Sequence, residues 1–214
     1  MTVCIRSNTY CHVHDQACDA FNDCLPSLKD GLTHRRLLIR LRKASIGNLG
    51  DVKPVGSGVF EMRLFFGPGW RMYDVQRGSV LIVMLGGGVK STQRADIAAA
   101  QALVAILGEL FRIEKIQAVK IGALPEFDFT EHLDSEQAIA EYLSLVLEDG
   151  DSALLAAALG DIAKARGMTQ VAKDAGTGRE SLYKVLRAGA QPRFDTVQRA
   201  CKALGLKVVV QVAG

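Results

Sequence analysis

Residues 168–187, MTQVAKDAGTGRESLYKVLR, set basic and polar side chains at a spacing that suits contact with a nucleic-acid duplex. Thr169 is placed to cap a short helix, Gly176 permits a tight turn, and Arg179 opens a second helix that turns Leu182, Val185 and Leu186 inward. Helix, glycine turn and helix at this spacing form a helix-turn-helix, and Ala172, Gly176 and Leu182 fit its packing. The second helix then presents Arg179, Glu180, Ser181, Tyr183, Lys184 and Arg187 to a major groove, while Gln170 on the first meets a phosphate. A charged helical face is most often merely solvated. Here the surrounding segment 162–214 carries ten Lys/Arg against three Asp/Glu, which favours a polyanion.

A second constellation lies in the first half of the chain. Arg63 and Arg71 fall on two neighbouring predicted strands, and Lys90 follows Gly86-Gly87-Gly88 where the last strand gives way. Alternation takes Arg63 off the face of Met62 and Leu64 and puts Arg71 and Tyr73 on one face. Any one of these cations alone is an ordinary surface charge. Together, on one sheet and beside a glycine-rich strand end, they read as an anion site. Glu61 is expected to pair with an arginine rather than act as a base. No histidine occurs between Leu37 and Glu131, so proton transfer there has no imidazole to use.

The cysteines offer less. Cys4, Cys11, Cys18 and Cys24 crowd the first 24 residues near His12 and His14, but spacings of 7, 7 and 6 lack the short CxxC pairs of a zinc site. No metal and free thiols are the expectation, with Cys201 a small core residue.

Helices are predicted at 15–25 and 28–44, separated by Pro26, the second turning Leu37, Leu38 and Leu41 inward and Arg35, Arg36, Arg40, Arg42 and Lys43 outward. A loop at 46–51 leads to strands at 59–65, 70–76 and 79–85, broken by Gly67-Pro68-Gly69 and Arg77-Gly78. An earlier strand is possible within 2–14. Ser91 is placed to cap a helix running to residue 111, with Ile97, Leu103 and Leu107 at helical spacing. Beyond a linker at 113–130, helices are predicted at 135–148 and 152–166, followed by short ones to 204, and the tail 207–212 suits one short strand. The fold class is therefore α+β: a domain over 1–112 with two helices on a small antiparallel sheet, then an all-α domain over 131–214 that holds the helix-turn-helix at about 168–188.

Charge follows this division. Residues 1–112 are net +5, 113–161 net −9 and 162–214 net +7, within an overall +3. An acidic segment between two basic ones can dock in cis on one neighbour and leave the other free for a polyanion. No apolar run reaches the roughly 18 residues of a membrane span, and the first ten residues lack a charged-then-apolar leader, so a soluble cytoplasmic protein is expected.

Two resemblances follow from these motifs. Residues 129–206, through the helix-turn-helix and the following QPRFDTVQRACKALGL, resemble the HigA-type addiction-module antidote proteins. Thr177-Gly178 stands where such proteins tend to have Leu-Ser, and Gly178 is a weaker cap than Ser by a few tenths of a kcal/mol. Roughly residues 15–111, through the stretch from GNLGDVKPVGSGVFEMRLFFGPGWRMYDVQRG to the VKSTQRADIAAA after the glycines, resemble the HigB-like killer proteins of the RelE/ParE toxin superfamily.

The second resemblance implies metal-independent, cofactor-free cleavage of mRNA on the ribosome, with Arg63, Arg71 and Lys90 holding the scissile phosphate and Lys53 and Tyr73 in support. A gyrase-poisoning action of ParE type stays open. Together the two imply a fused toxin and antidote whose contact is intramolecular or domain-swapped, whose acidic helix 135–148 masks the toxin with Phe127 and Phe129 as anchors, and which represses its own operator DNA as a homodimer. The alternative is a transcription regulator whose first domain is catalytically inert. Neither reading involves a membrane.

Overall fold

The computed structural model of the chain describes residues 2–4, 30–77, 81–113, 127–187, 189–209 and 212. They form an α+β protein whose chain divides into two compact units, one of residues 1–30 and 43–127, the other of residues 31–42 and 128–214. The division falls inside helix α1 (Gly31–Ser45), so Gly31–Arg42 groups with the second half of the sequence rather than with the domain 1–112 expected for it. The predicted helix 15–25 and the thiols Cys11, Cys18 and Cys24 lie outside the described residues.

The first unit is built on a five-stranded sheet in the order β1-β5-β4-β3-β2. Strands β2 (Val52–Pro54), β3 (Val59–Arg63), β4 (Trp70–Arg77) and β5 (Leu81–Val89) run antiparallel in sequence, and β1 (Thr2–Cys4) joins the far edge parallel to β5. Sequence pattern gave three antiparallel strands; the fourth, β2, is only three residues long and ends in Pro54, too short to show alternation and tolerated because it is an edge. β5 also continues past Leu85 through the three glycines, whose backbones pair with Arg71, Met72 and Tyr73 of β4, so main-chain bonding carries the strand where side chains give no signal. A register shift between Tyr73 and Asp74 marks the same place.

Helix α2 (Gln93–Ile113) covers one sheet face. Val59, Tyr73, Val75, Val83, Leu85 and Ala100 form the core there, with Val55, Ile97, Leu103 and Val104 packed around it. The helix begins two residues after Ser91, and the side chain that bridges its entry is Thr92, whose Oγ1 accepts from Val89 N and donates to Asp96 Oδ2 at 2.6 Å.

In the second unit, a 3-10 turn (Phe129–His132) precedes α3 (Glu136–Asp149) and α4 (Ser152–Arg166). Both helices start on caps that the sequence supplies: Ser135 Oγ accepts from Ala138 N at 3.1 Å, and Asp151 Oδ1 accepts from Ala153 N and Leu154 N. Helix α4 is buried on most of its circumference, from Leu154 to Ala163, which makes it the centre of the unit. Three short helices follow: α5 (Met168–Asp174), α6 (Arg179–Val185) and α7 (Phe194–Ala203). Thr169 does not cap α5; it lies inside the first turn, Gly167 holds the cap position, and no side chain bonds there. Gly176, at φ +65°, makes the turn between α5 and α6 in a conformation that disfavours any side chain.

Candidate functional site

On the sheet, register places the predicted cations in two adjacent rows: Lys53, Glu61, Tyr73 and Gly86 in one, Arg63, Arg71 and Gly88 in the next. Residues directly opposite one another share a face, so Arg63, Arg71 and Tyr73 lie on the side that α2 covers. Tyr73 is fully buried in that core. Arg71 is buried too; its Nη1 donates to the carbonyls of Gly69 and Trp70, and its Nε faces Glu61 Oε1 at 3.7 Å. Glu61, 1% exposed, also accepts from Gln93 Nε2 at 2.6 Å and from the Tyr73 hydroxyl at 3.4 Å. Burial, then the charge of Glu61 and of Asp96, push the Tyr73 phenol well above its ordinary range. Arg63 is bound to Asp51 at 2.6 Å.

Two of the three expected phosphate ligands therefore have carboxylate partners, and Tyr73 is a core residue with a paired hydroxyl. Of the predicted cations, Lys90 and Lys53 are the ones open to solvent. Lys90 and Arg71 flank Gly69 from two sides, since a methyl group there would lie 3.4 Å from Lys90 Cβ and 3.6 Å from Arg71 Nη1. The sequence pattern missed Asp96 and Gln93. Asp96 hangs over Gly88, where a side chain would collide with its carboxylate, so the glycine opposite Arg71 exists to admit an acid from α2. The signal for Gln93 and Asp96 was present only as helix N-terminal polar residues, and nothing in spacing said that they fold back onto the sheet.

On the second unit, Gln170, Arg179, Glu180, Ser181, Tyr183, Lys184 and Arg187 are all exposed. Leu182 and Leu186 point inward as expected, with Val185 half-buried. Gln170 is less available than the others, because its Nε2 lies 2.9 Å from each carboxylate oxygen of Asp174. Helix α6 is anchored from behind: the Leu186 carbonyl lies so close to Gly160 of α4 that a methyl group would come within 2.5 Å of it.

The same unit contains a grip that spacing did not foretell. Arg42, at the end of Gly31–Arg42, donates through Nη2 to Asp161 Oδ1 at 2.8 Å, while its guanidinium sits 4.8 Å from the centre of the Phe129 ring. Asp161 is 3% exposed, so the pair is desolvated. Arg35 Nε meets Glu141 Oε2 of α3 at 3.6 Å, and the rings of His34 and His132 meet edge to face at 5.0 Å. Burial, followed by the charges of His132 and Arg35, lowers His34 to about 4 against an opposing pull from Asp134. Burial and then the charge of Asp161 push the Tyr142 phenol far up, with Arg42 opposing. Acidic and aromatic residues from 129–161 thus hold a basic helix contributed by residues 31–42.

Among the described residues no helix is long and apolar enough to cross a membrane. No solved structure matches the chain. An uncharacterised protein of Haemophilus influenzae (strain ATCC 51907 / DSM 11121 / KW20 / Rd) is 49% identical over 88 residues, covering 41% of this chain and 91% of that protein. Another from the same organism is 39% identical over 88 residues, with 41% of this chain and 89% of the relative covered. Residues 123–212 match the family model described as probable addiction module antidote protein, a span that contains the α3–α7 helices and the carboxylates that hold Arg35 and Arg42. Through that span the chain belongs to the addiction-module antidote family.

Proposed function

We propose that the chain is a self-neutralised toxin and antidote in one polypeptide. The sheet unit acts as a RelE/ParE-like, HigB-type endoribonuclease that cleaves mRNA on the ribosome without a metal. The antidote unit, of HigA type, silences it in cis and binds operator DNA through the helix-turn-helix of α5 and α6 to repress transcription. The observation that carries this reading is the Arg42–Asp161 pair, a buried contact between the antidote-family segment and a helix drawn from the other half of the sequence. Covalent linkage makes such a contact effectively intramolecular, so it persists at any cellular concentration.

Phosphoryl transfer of this kind needs cations against the charge that develops at phosphorus. Lys90 and Lys53 are open to supply it, and Arg71 contributes where a phosphate competes with Glu61 for its guanidinium. The test is to express the full chain intact, with Asp161→Leu plus Glu141→Lys, and with Arg71→Ala added to those two. The expected outcome is growth arrest and mRNA cleavage for the doubly substituted chain only. If that chain neither arrests growth nor cleaves mRNA, and residues 1–112 alone do neither, the ribonuclease reading is wrong.

One observation favours a second reading. Arg63 and Arg71 are matched one to one by Asp51 and Glu61, as in a sheet whose arginines serve stability. In that reading the chain is a transcription regulator with an inert first unit, which binds DNA and shows no toxicity in any of the three forms.

A further inference from the structure

A third cross-strand row lies beyond the two that carry Tyr73 and Arg71. The ladder between β3 and β4 runs one step past Arg63 and Arg71, since Leu64 N donates to the Trp70 carbonyl at 3.0 Å, and Trp70 in turn faces Val89 of β5. Alternation therefore sets Phe65, Gly69 and Lys90 side by side, on the face that carries Arg63, Arg71 and Gly88. The contacts at Gly69 agree, because Lys90 Cβ and Arg71 Nη1 are the nearest atoms to a methyl group placed there. The rows differ in cover. Tyr73 and Glu61 are buried and Asp96 hangs over Gly88, whereas Phe65 is 78% exposed and Lys90 is open to solvent.

One exposed ring is ordinary on a protein surface. This one stands across a glycine from an ammonium, on strands about 5 Å apart, so ring and cation are carried about 10 Å from each other with no side chain at the position between them. The hairpin fixes the backbone that carries the ring: Gly69 N donates to the Phe66 carbonyl at 3.0 Å, Pro68 locks its own φ, and Gly67 and Gly69 take φ of +53° and +78°, which a side chain disfavours. A flat ring and cations flanking an open strip are what a single nucleic-acid strand requires, a face for a base and positive charge for its phosphate. We infer that Phe65 is the stacking platform for one unpaired base of an RNA strand, which lies over Gly69 with the adjoining phosphate on Lys90 and the near edge of Arg71. The inference deepens the ribonuclease reading and rests on it for the choice of RNA. Every base has a face to stack, so Phe65 fixes the register of the strand on the sheet and demands that it be single.

Fluorescence anisotropy of the full chain with a short labelled strand of 2′-O-methyl RNA, which offers no 2′-hydroxyl for cleavage, tests it. Phe65→Ala is expected to weaken binding by about fivefold or more and to leave its dependence on salt unchanged. Lys90→Ala is expected to lower the slope of log affinity against log salt by about 0.7, the share of one phosphate contact on a single strand. Phe65→Tyr should bind as the intact chain does and Phe65→Leu should not. Removing the base at one position of the strand should cost the intact chain as much as Phe65→Ala does, and cost that variant nothing further. All these proteins share the same second unit, so the differences report the sheet alone, and circular dichroism melts establish that the variants remain folded. Equal affinity of Phe65→Ala and the intact chain, full recovery by Phe65→Leu, or indifference to base removal at every position overturns the inference. So does a Phe65→Ala change that shifts the sedimenting mass and not the affinity for the strand, which would give the ring to a protein partner. The ribonuclease reading fails separately. A chain that binds the strand through Phe65, yet leaves mRNA uncut once Asp161→Leu and Glu141→Lys are introduced, refutes cleavage and leaves the platform standing; cleavage by that chain which Phe65→Ala does not alter refutes the platform alone.

Discussion

Asp161 shows how much of this molecule turns on single charges. A carboxylate buried in the helical unit is tolerable only because Arg42 and its neighbours compensate it. Arg42→Met removes the compensation and leaves the acid, so we expect a loss of about 3–5 kcal/mol in the stability of that unit. Arg42→Met together with Asp161→Leu removes both charges, and by the same principle should recover most of it. Urea denaturation of the two variants measures the difference; equal losses would show that the pair contributes packing alone. His34 adds a pH dependence. Its folded-state value of about 4 lies below its unfolded value of 6.5, so the folded unit binds fewer protons between them. The stabilisation is complete above pH 6.5 and is lost as the pH falls toward 4. The melting temperature of the intact chain should therefore fall across that window more steeply than that of His34→Gln, and parallel curves would remove His34 from the account. Neither residue stood out in the sequence, because a buried Asp and a stacked His declare themselves only through partners more than ninety positions away.

At the scale of elements, legibility followed the length of the periodic run. Helix α4 was expected at 152–166 and has those bounds, because Asp151 caps it, Gly167 ends it and fifteen residues fix its period. Strand β2 and the glycine half of β5 were not legible, since three residues and a glycine run carry no alternation. The cation row was legible as residues but not as surroundings: spacing placed Arg71 and Tyr73 on one face, while their burial under α2 and the acids that meet them come from tertiary packing. The packing of α4 on α6 gives a direct test. A methyl group at Gly160 meets the Leu186 carbonyl, a backbone atom that cannot swing aside. Gly160→Ala is expected to lower stability by about 1–3 kcal/mol through overpacking and to blur the α6 surface. Ser135→Ala, which removes only the α3 cap, is expected to cost about 1 kcal/mol and leave α6 unchanged. Chemical-shift changes at α6 in the first variant and not the second would separate the two; a Gly160→Ala protein as stable as the parent would mean that the Leu186 carbonyl does not press on Gly160.

For the whole molecule the ordering of charge matters more than its sum. The chain is only +3 overall, yet residues 162–214 are net +7 and 113–161 net −9. Acids of the middle block, Glu141 and Asp161, are engaged with Arg35 and Arg42, so they do not offset the basic residues of α6. A polyanion approaching α6 meets Arg179, Lys184 and Arg187, all exposed, and Glu180 is the acid that stands among them. If the face reads DNA, the two kinds of contact separate by substitution. Lys184→Ala should weaken binding to all sequences alike and reduce the slope of log affinity against log salt by about 1, as expected for the loss of one phosphate contact. Arg179→Ala, at the first position of α6, should change which sequences are preferred, with a cost of about 1–3 kcal/mol confined to the base it meets. Gel-shift titrations of the full chain on its own upstream DNA at several salt concentrations measure both. Binding that is insensitive to salt, or that both substitutions weaken in the same sequence-independent way, would mean that the α6 face is a solvated surface and that the antidote unit acts through its grip on Gly31–Arg42 alone.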